Sequence, residues 1–225
     1  MVSSDSASRS IVLVLGSRNR KKCNEMAELI APRWEASRSL ERLSIRSVDD
    51  FGAAAPEVIE DAETFAGNAR KKASELARAL AVWVLADDSG LAVDALGGAP
   101  GVFSARYAGE PTNDEANNRK VLEALAETAA DRRGAAFHCA LALADPSGTI
   151  RLEAEGICRG RLTREIRGPA GFGYDPLFLI LEYHKTFGEL SPLVKHQLSH
   201  RARAFALLRR RVERMILQGD FDATG

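Results

Sequence analysis

Trp83-Val84-Leu85 is a short apolar run of the kind that forms a buried strand, and it leads through Ala86 into Asp87-Asp88-Ser89-Gly90. A strand that ends on two adjacent carboxylates delivers charge to the edge of a sheet, where open α/β sheets place ligands. Gly97, Gly98, Pro100 and Gly101 follow closely, so the backbone beyond is tightly turned. Taken alone, Asp-Asp-Ser-Gly is equally an acidic turn after a strand. The remaining chain weighs between these readings.

Ile11–Leu15 is a second continuous apolar run and a buried-strand candidate. It opens into the basic loop Gly16-Ser17-Arg18-Asn19-Arg20-Lys21-Lys22, followed by a helix with Met26, Leu29 and Ile30 at helical spacing that stops near Pro32. Asn19 suits the helix N-cap. The loop therefore sits where free helix N–H groups favour an anion. It is not a phosphate-binding P-loop, because the second glycine is missing and Cys23 follows Lys22.

Residues 43–48 suggest a half-exposed strand, and 49–63 an acidic loop containing Glu57, Glu60, Asp61 and Glu63. Thr64–Ala81 carries Phe65, Ala69, Ala73, Leu76 and Leu80 on one helical stripe, with Arg70, Lys71 and Lys72 elsewhere. Thr112-Asn113-Asp114-Glu115 matches a capping box opening a helix through Leu125. Ala135–Ala144 and the alternating Ile150, Leu152 and Ala154 flank Asp145-Pro146-Ser147-Gly148 as a hairpin, and Leu177–Leu181 reads as another short strand. Strands alternating with helices, plus a hairpin, give an α/β fold with a mixed sheet. Near the C-terminus, one continuous helix from Pro192 would set Lys195 and His200 about 140° apart. Ser199 is a good N-cap, so a break there is expected, with His200 and Arg201 in the first turn of the last helix.

Composition bounds the function. Hydrophobic residues make up 45% of 225, enough for a real core, and 31 Lys+Arg balance 31 Asp+Glu. Zero net charge argues against a general polyanion binder, so any anion site is local. Few aromatics (6%) disfavour a nucleic-acid module, despite Arg201, Arg203 and Arg209-Arg210-Arg211. Three scattered cysteines, Cys23, Cys139 and Cys158, fit a reducing, cytoplasmic setting. No apolar run is long enough to span a membrane. Residues 1–10 and 219–225 read as tails around a single domain, 11–218.

In order along the chain, Gly16–Lys22, Thr64–Ala73, Ala86–Gly109, Phe172–Phe178 and Lys195 through Ser199-His200-Arg201 form a set. With it the sequence resembles the inosine triphosphate pyrophosphatase family, the non-canonical purine nucleoside triphosphate pyrophosphatases, from Ile11 to about Leu208. The resemblance implies an elongated mixed sheet flanked by helices, in two lobes with the active site in the cleft between them, and a homodimer. It implies hydrolysis of ITP, dITP and XTP to monophosphate and pyrophosphate with Mg²⁺. Asp88 maps to the proton acceptor and a metal ligand, and Glu60 to the second metal ligand. Ser17, Arg18, Asn19, Arg20, Lys21, Lys22, Lys72, Ser89, Phe172, Gly173, Tyr174, Asp175, Lys195, His200 and Arg201 map to substrate binding. The sequence departs from the family pattern at Arg18 and Lys21, where glycines are usual, at Gly67, where a glutamate is usual, and at Leu181, where a proline is common.

The chemistry agrees with the residue types. Mg²⁺ takes oxygen ligands, one or two carboxylates plus phosphate and water, and Asp87 is a further candidate. No serine or cysteine sits in a nucleophile motif, so direct attack by water is expected, with a carboxylate accepting its proton. Donors such as Arg201 and Lys195 suit the C6 oxygen of hypoxanthine and xanthine over the amino group of adenine. Phe172 is placed to stack on a purine. A non-catalytic nucleotide-binding protein and a pyrophosphatase for modified pyrimidine triphosphates remain alternatives.

Overall fold

The computed structural model describes residues 10–34 and 43–221. Seven strands form one mixed sheet in the order β2-β1-β3-β4-β5-β6-β7. β1 (Ile11–Leu15) lies between β2 (Leu43–Ser47) and β3 (Trp83–Val93), parallel to both. β4 (Gly134–Ala144) runs antiparallel to β3 and forms the expected hairpin with β5 (Ile150–Leu162). β6 (Phe178–Ile180) and the two-residue β7 (Lys185–Thr186) close the far edge.

α1 (Arg20–Trp34), α2 (Phe65–Leu80), α3 (Asp114–Ala124), α4 (Pro192–Leu198) and α5 (His200–Gln218) flank the sheet. The break between α4 and α5 falls at Ser199, whose hydroxyl accepts from Ala202 N. Thr64 and Asn19 also cap as their residue types suggest.

The sheet face carrying Leu13, Leu15, Leu85 and Leu141 packs on α1 and α5 through Met26, Leu29, Phe205, Leu208 and Val212. The opposite face, with Val14, Val84, Ala86 and Ala142, packs on Ala69, Ala73, Leu76 and Ala77 of α2. A third cluster at the other end joins Leu91, Val93, Phe137, Phe178 and Phe187 to Val121 and Leu125 near α3. Phe221, beyond the last helix, packs on Trp83 with ring centroids 4.2 Å apart, so the core takes in part of the segment read as a tail.

Several local expectations change. β3 does not end at the two carboxylates: it runs through Asp87-Asp88-Ser89-Gly90 to Val93, paired with β4 along its length. Aspartate is a poor strand former, but cross-strand pairing overrides such preferences. The acidic loop begins as a 3₁₀ segment, Val48–Ala54, started by a reciprocal cap between Ser47 and Asp50. Asn113, not Thr112, caps α3, accepting from Ala116 N at 3.0 Å. α1 passes Pro32 and ends at Trp34. Lys72, read as lying off the apolar stripe, is buried on the sheet side of α2.

Candidate active site

β1 pairs with β3 only as far as Leu15↔Leu85, and Gly16 N adds one last bond to Leu85 O. Beyond that point one edge of β3 is open, and this is where the two carboxylates stand. Successive strand residues face opposite sides of a sheet. Asp87 therefore turns to the α1/α5 side and Asp88 to the α2 side, and each meets a different set of cations.

On the α2 side, Asp88 Oδ2 accepts from Asn68 Nδ2 at 3.0 Å and Oδ1 from Ser89 N at 2.9 Å. Lys72 Nζ lies 2.8 Å from Glu60 Oε1 and 4.0 Å from Asp88 Oδ1, so one ammonium already spans the two acids. Glu60, Lys72, Asp88 and Ser89 line a cavity of about 270 Å³ with Gly16, Ser17, Arg18 and Arg106, and Asn68 stands behind its wall. Burial pushes the Asp88 carboxyl above the usual carboxylate range, a rise that Lys72 and Lys22 oppose without cancelling. Burial acts against the charge on Lys72, but Asp87, Glu60 and Asp88 together raise its pKa.

On the α1/α5 side, Asp87 is fully buried. Burial alone would raise its pKa, but the charges of Lys22, Arg201 and Lys72 hold it well below the usual range. Lys22 Nζ lies 3.4 Å and Arg201 Nε 3.7 Å from Asp87 Oδ2. Arg201 also donates to Ser89 Oγ at 2.7 Å and to Glu25. Glu25 pairs with Lys195 at 3.2 Å, and Lys195 with Asp175 at 2.8 Å. Burial disfavours charge on Glu25, but Arg201 and Lys195 outweigh it and lower its pKa.

Asp175 in turn accepts from Phe172 N at 2.8 Å, which fixes the loop carrying that ring. The Lys195 and Arg201 cations stand 4.8 and 5.3 Å from the Phe172 centroid. His200 is buried, stacks on Phe137 at 4.8 Å, and its Nδ1 has no hydrogen-bond partner among the described residues. Burial drops its pKa well below 6.5. Phe172, Gly173, Tyr174, Asp175, His200 and Arg201 line a second cavity. Asn19, Lys22, Ser89 and Ala105 line both cavities, so the two meet across the open edge of β3.

Not every sequence candidate points inward. Arg20 and Lys21 line neither cavity, and Lys21 pairs with Asp114 at 3.0 Å. Arg18 donates to Ala55 O at 2.7 Å. Tyr174 gives its hydroxyl to Ser104 O at 2.8 Å, and Lys195 stands behind Phe172 rather than in the cavity wall.

The sequence reading passed over Glu25, Arg106, Asp114, and the side-chain role of Asn68. Two of these carried a signal. Glu25 lies four residues before Leu29, and Asn68-Lys72-Leu76 run at spacing four, so each is a polar residue on an apolar helix face.

Residues 13–211 match the sequence profile of the Ham1 family. The chain belongs to the Ham1 family. Among family relatives, the dITP/XTP pyrophosphatase of Rhodopirellula baltica is 54% identical over 195 residues, 87% of this chain and 89% of that protein. The dITP/XTP pyrophosphatase of Shouchella clausii is 46% identical over 201 residues, 89% and 96% of the two chains. A Ham1 protein from Coxiella burnetii has a solved structure that superposes with a TM-score of 0.78 at 38% identity, covering 90% of this chain and 98% of that one. The Ham1 sheet with flanking helices is thus shared with known structures.

No helix among the described residues is long and apolar enough to cross a membrane. No cluster of three or more metal-ligating side chains occurs among them either.

Proposed function

We infer that this chain hydrolyses non-canonical purine nucleoside triphosphates, dITP, XTP and ITP, to the monophosphate and pyrophosphate. One observation carries the reading: two cavities with different chemistry meet over the open edge of β3, one acidic and cationic, the other built on an aromatic ring and hydrogen-bond donors. A nucleotide laid across that edge places its phosphates beside Lys72, Lys22 and Asp88 and its base beside Phe172, His200 and Arg201.

The adjacent carboxylates divide the work. Neighbouring acids whose environments push their pKa values apart take different roles. Asp87, held ionised by the charges of Lys22, Arg201 and Lys72, fixes Lys22 and Arg201. Asp88, which lines the cavity beside Glu60 and Lys72, is placed to accept the proton of the attacking water. Ser89 is not a nucleophile: its Oγ is held between Asp87 and Arg201. Lys22, Lys72, Lys195 and Arg201 form ion pairs with Glu25, Glu60, Asp87, Asp88 and Asp175. That network holds no excess positive charge, so a triphosphate needs a cation of its own.

Hard carboxylate oxygens, already spanned by an ammonium, suit Mg²⁺, and Glu60 and Asp88 would hold it. When bound, Mg²⁺ supplies polarisation of the phosphoryl oxygens. At the base, the unpartnered His200 Nδ1 and the Arg201 guanidinium offer polar groups to a C6 oxygen. A homodimer is proposed on the strength of the resemblance, and light scattering of the purified protein tests it. The activity is tested with dITP, XTP, ITP, GTP, ATP and dUTP in Mg²⁺, following pyrophosphate release. XTP and dITP should be turned over far faster than ATP, and equal rates would refute the base assignment.

A further inference from the structure

Asn68 stands in the first turn of α2, 1% exposed, and uses both ends of its side-chain amide. Nδ2 donates to Asp88 Oδ2 at 3.0 Å, and Oδ1 accepts from the backbone N–H of Ala62 at 2.9 Å. Ala62 lies two residues after Glu60, in a segment without helix or strand. One amide thus joins the strand that carries Asp88 to the loop that carries Glu60.

The residue type is demanded by the geometry. A carboxylate accepts but cannot donate when ionised, and a lysine donates but cannot accept. The second oxygen of Asp88 is already fixed by Ser89 N, so Asn68 completes the orientation of the carboxylate. The loop also approaches α2 closely beside it: a Cβ on Gly67 would stand 2.8 Å from Ala62 Cβ and 3.1 Å from Thr64 Oγ1. The helix start is therefore shaped to receive this loop, and Asn68 pins it there.

We propose that Asn68 is a positioning residue that sets the Asp88 carboxylate and the Glu60 loop relative to one another. This rests on the reading of Asp88 as proton acceptor and of Glu60 as its metal-binding companion. Outer-shell partners of this kind change activity by about 10–100-fold when replaced.

Asn68→Asp is the informative variant. It keeps the shape and the acceptor for Ala62 N but removes the donor to Asp88. Asn68→Ala removes both links. The readouts are kcat and KM for XTP with Mg²⁺, and hydrogen exchange of the Ala62 amide in the protein without nucleotide or metal. In N68D, kcat should fall about 10–100-fold with KM within about threefold, while Ala62 stays protected. In N68A, kcat should fall and Ala62 should exchange faster. Where N68A does not fold, N68D and the uncharged Asn68→Leu decide together.

Parental kcat in folded N68D, which lacks the donor, overturns the proposal. Because that variant also sets a second carboxylate beside Asp88, Asn68→Leu, isosteric and uncharged, is measured with it. A residue that merely fills space would leave kcat of Asn68→Leu within about threefold of the parent, which overturns the proposal too. So does parental protection of Ala62 in N68A. Asp88→Asn is measured alongside. An active D88N removes Asp88 from its role and the proposal with it. An inactive D88N beside a parental N68D overturns the proposal alone.

Discussion

Gly156 lies in β5, outside both cavities, yet its replacement by alanine should disable the site. α5 rests directly on the strand at this point. A Cβ on residue 156 would stand 2.1 Å from His200 O and 2.5 Å from Ala204 N. Both neighbours are helix backbone, which cannot rotate away. Restoring ordinary contact, 3.4 Å or more, means moving the start of α5 by about 1 Å or displacing β5 within the sheet.

That first turn carries His200 and Arg201, and Arg201 reaches Ser89 at 2.7 Å. A shift of 1 Å takes such a bond beyond hydrogen-bonding range. Overpacking costs about 1–3 kcal/mol, which lowers Tm by about 2–12 °C for a chain of this size. Misplacement by about 1 Å costs on the order of 10²-fold in rate. Calorimetry and pyrophosphate release from XTP measure the two effects. A G156A protein with lowered Tm but parental kcat/KM would refute the link between β5 packing and the site.

Other perturbations have equally definite outcomes. Glu25→Ala leaves the buried Arg201 and Lys195 without their shared partner and should destabilise by about 3–5 kcal/mol in urea unfolding, with KM for XTP raised as Arg201 loosens. Asp88→Asn should reduce kcat by at least about 10²-fold with Tm within a few degrees of the parent, and retained turnover would remove Asp88 as proton acceptor. His200 has a pKa lowered by burial, so the unfolded chain binds its proton first. Its contribution to stability is intact above pH 6.5 and lost as pH falls below it, by about 1.4 kcal/mol per pH unit until the folded-state pKa is reached. The stability of His200→Phe should therefore fall less steeply than the parent's over that range, and parallel profiles would refute the assignment.

Much of this was legible because single residues act locally. Ser199 announces the break that brings His200 and Arg201 into one turn with Lys195 behind them. Ile11–Leu15 reads as a buried strand from its apolar run alone, and its bounds match. The misread elements depend on partners distant in sequence. Asp87 and Asp88 look like a strand end until β4, about fifty residues later, supplies a ladder through Val93. β7 is two residues paired with β6 and has no pattern of its own to read. Glu25 and Lys195 are 170 positions apart, so a helix-face charge was visible but its partner was not.

The parity of β3 has a consequence for how such a chain tolerates length changes. Asp87 and Asp88 reach different helices only because odd and even positions alternate between sides. One residue inserted between Trp83 and Ala86, with the strand still anchored at Trp83, would exchange their surroundings: Asp88 would meet guanidinium and Asp87 would meet the amide. Both acids would survive in the sequence while the chemistry vanished. The spacing from Trp83 to Asp88 is therefore fixed to the residue.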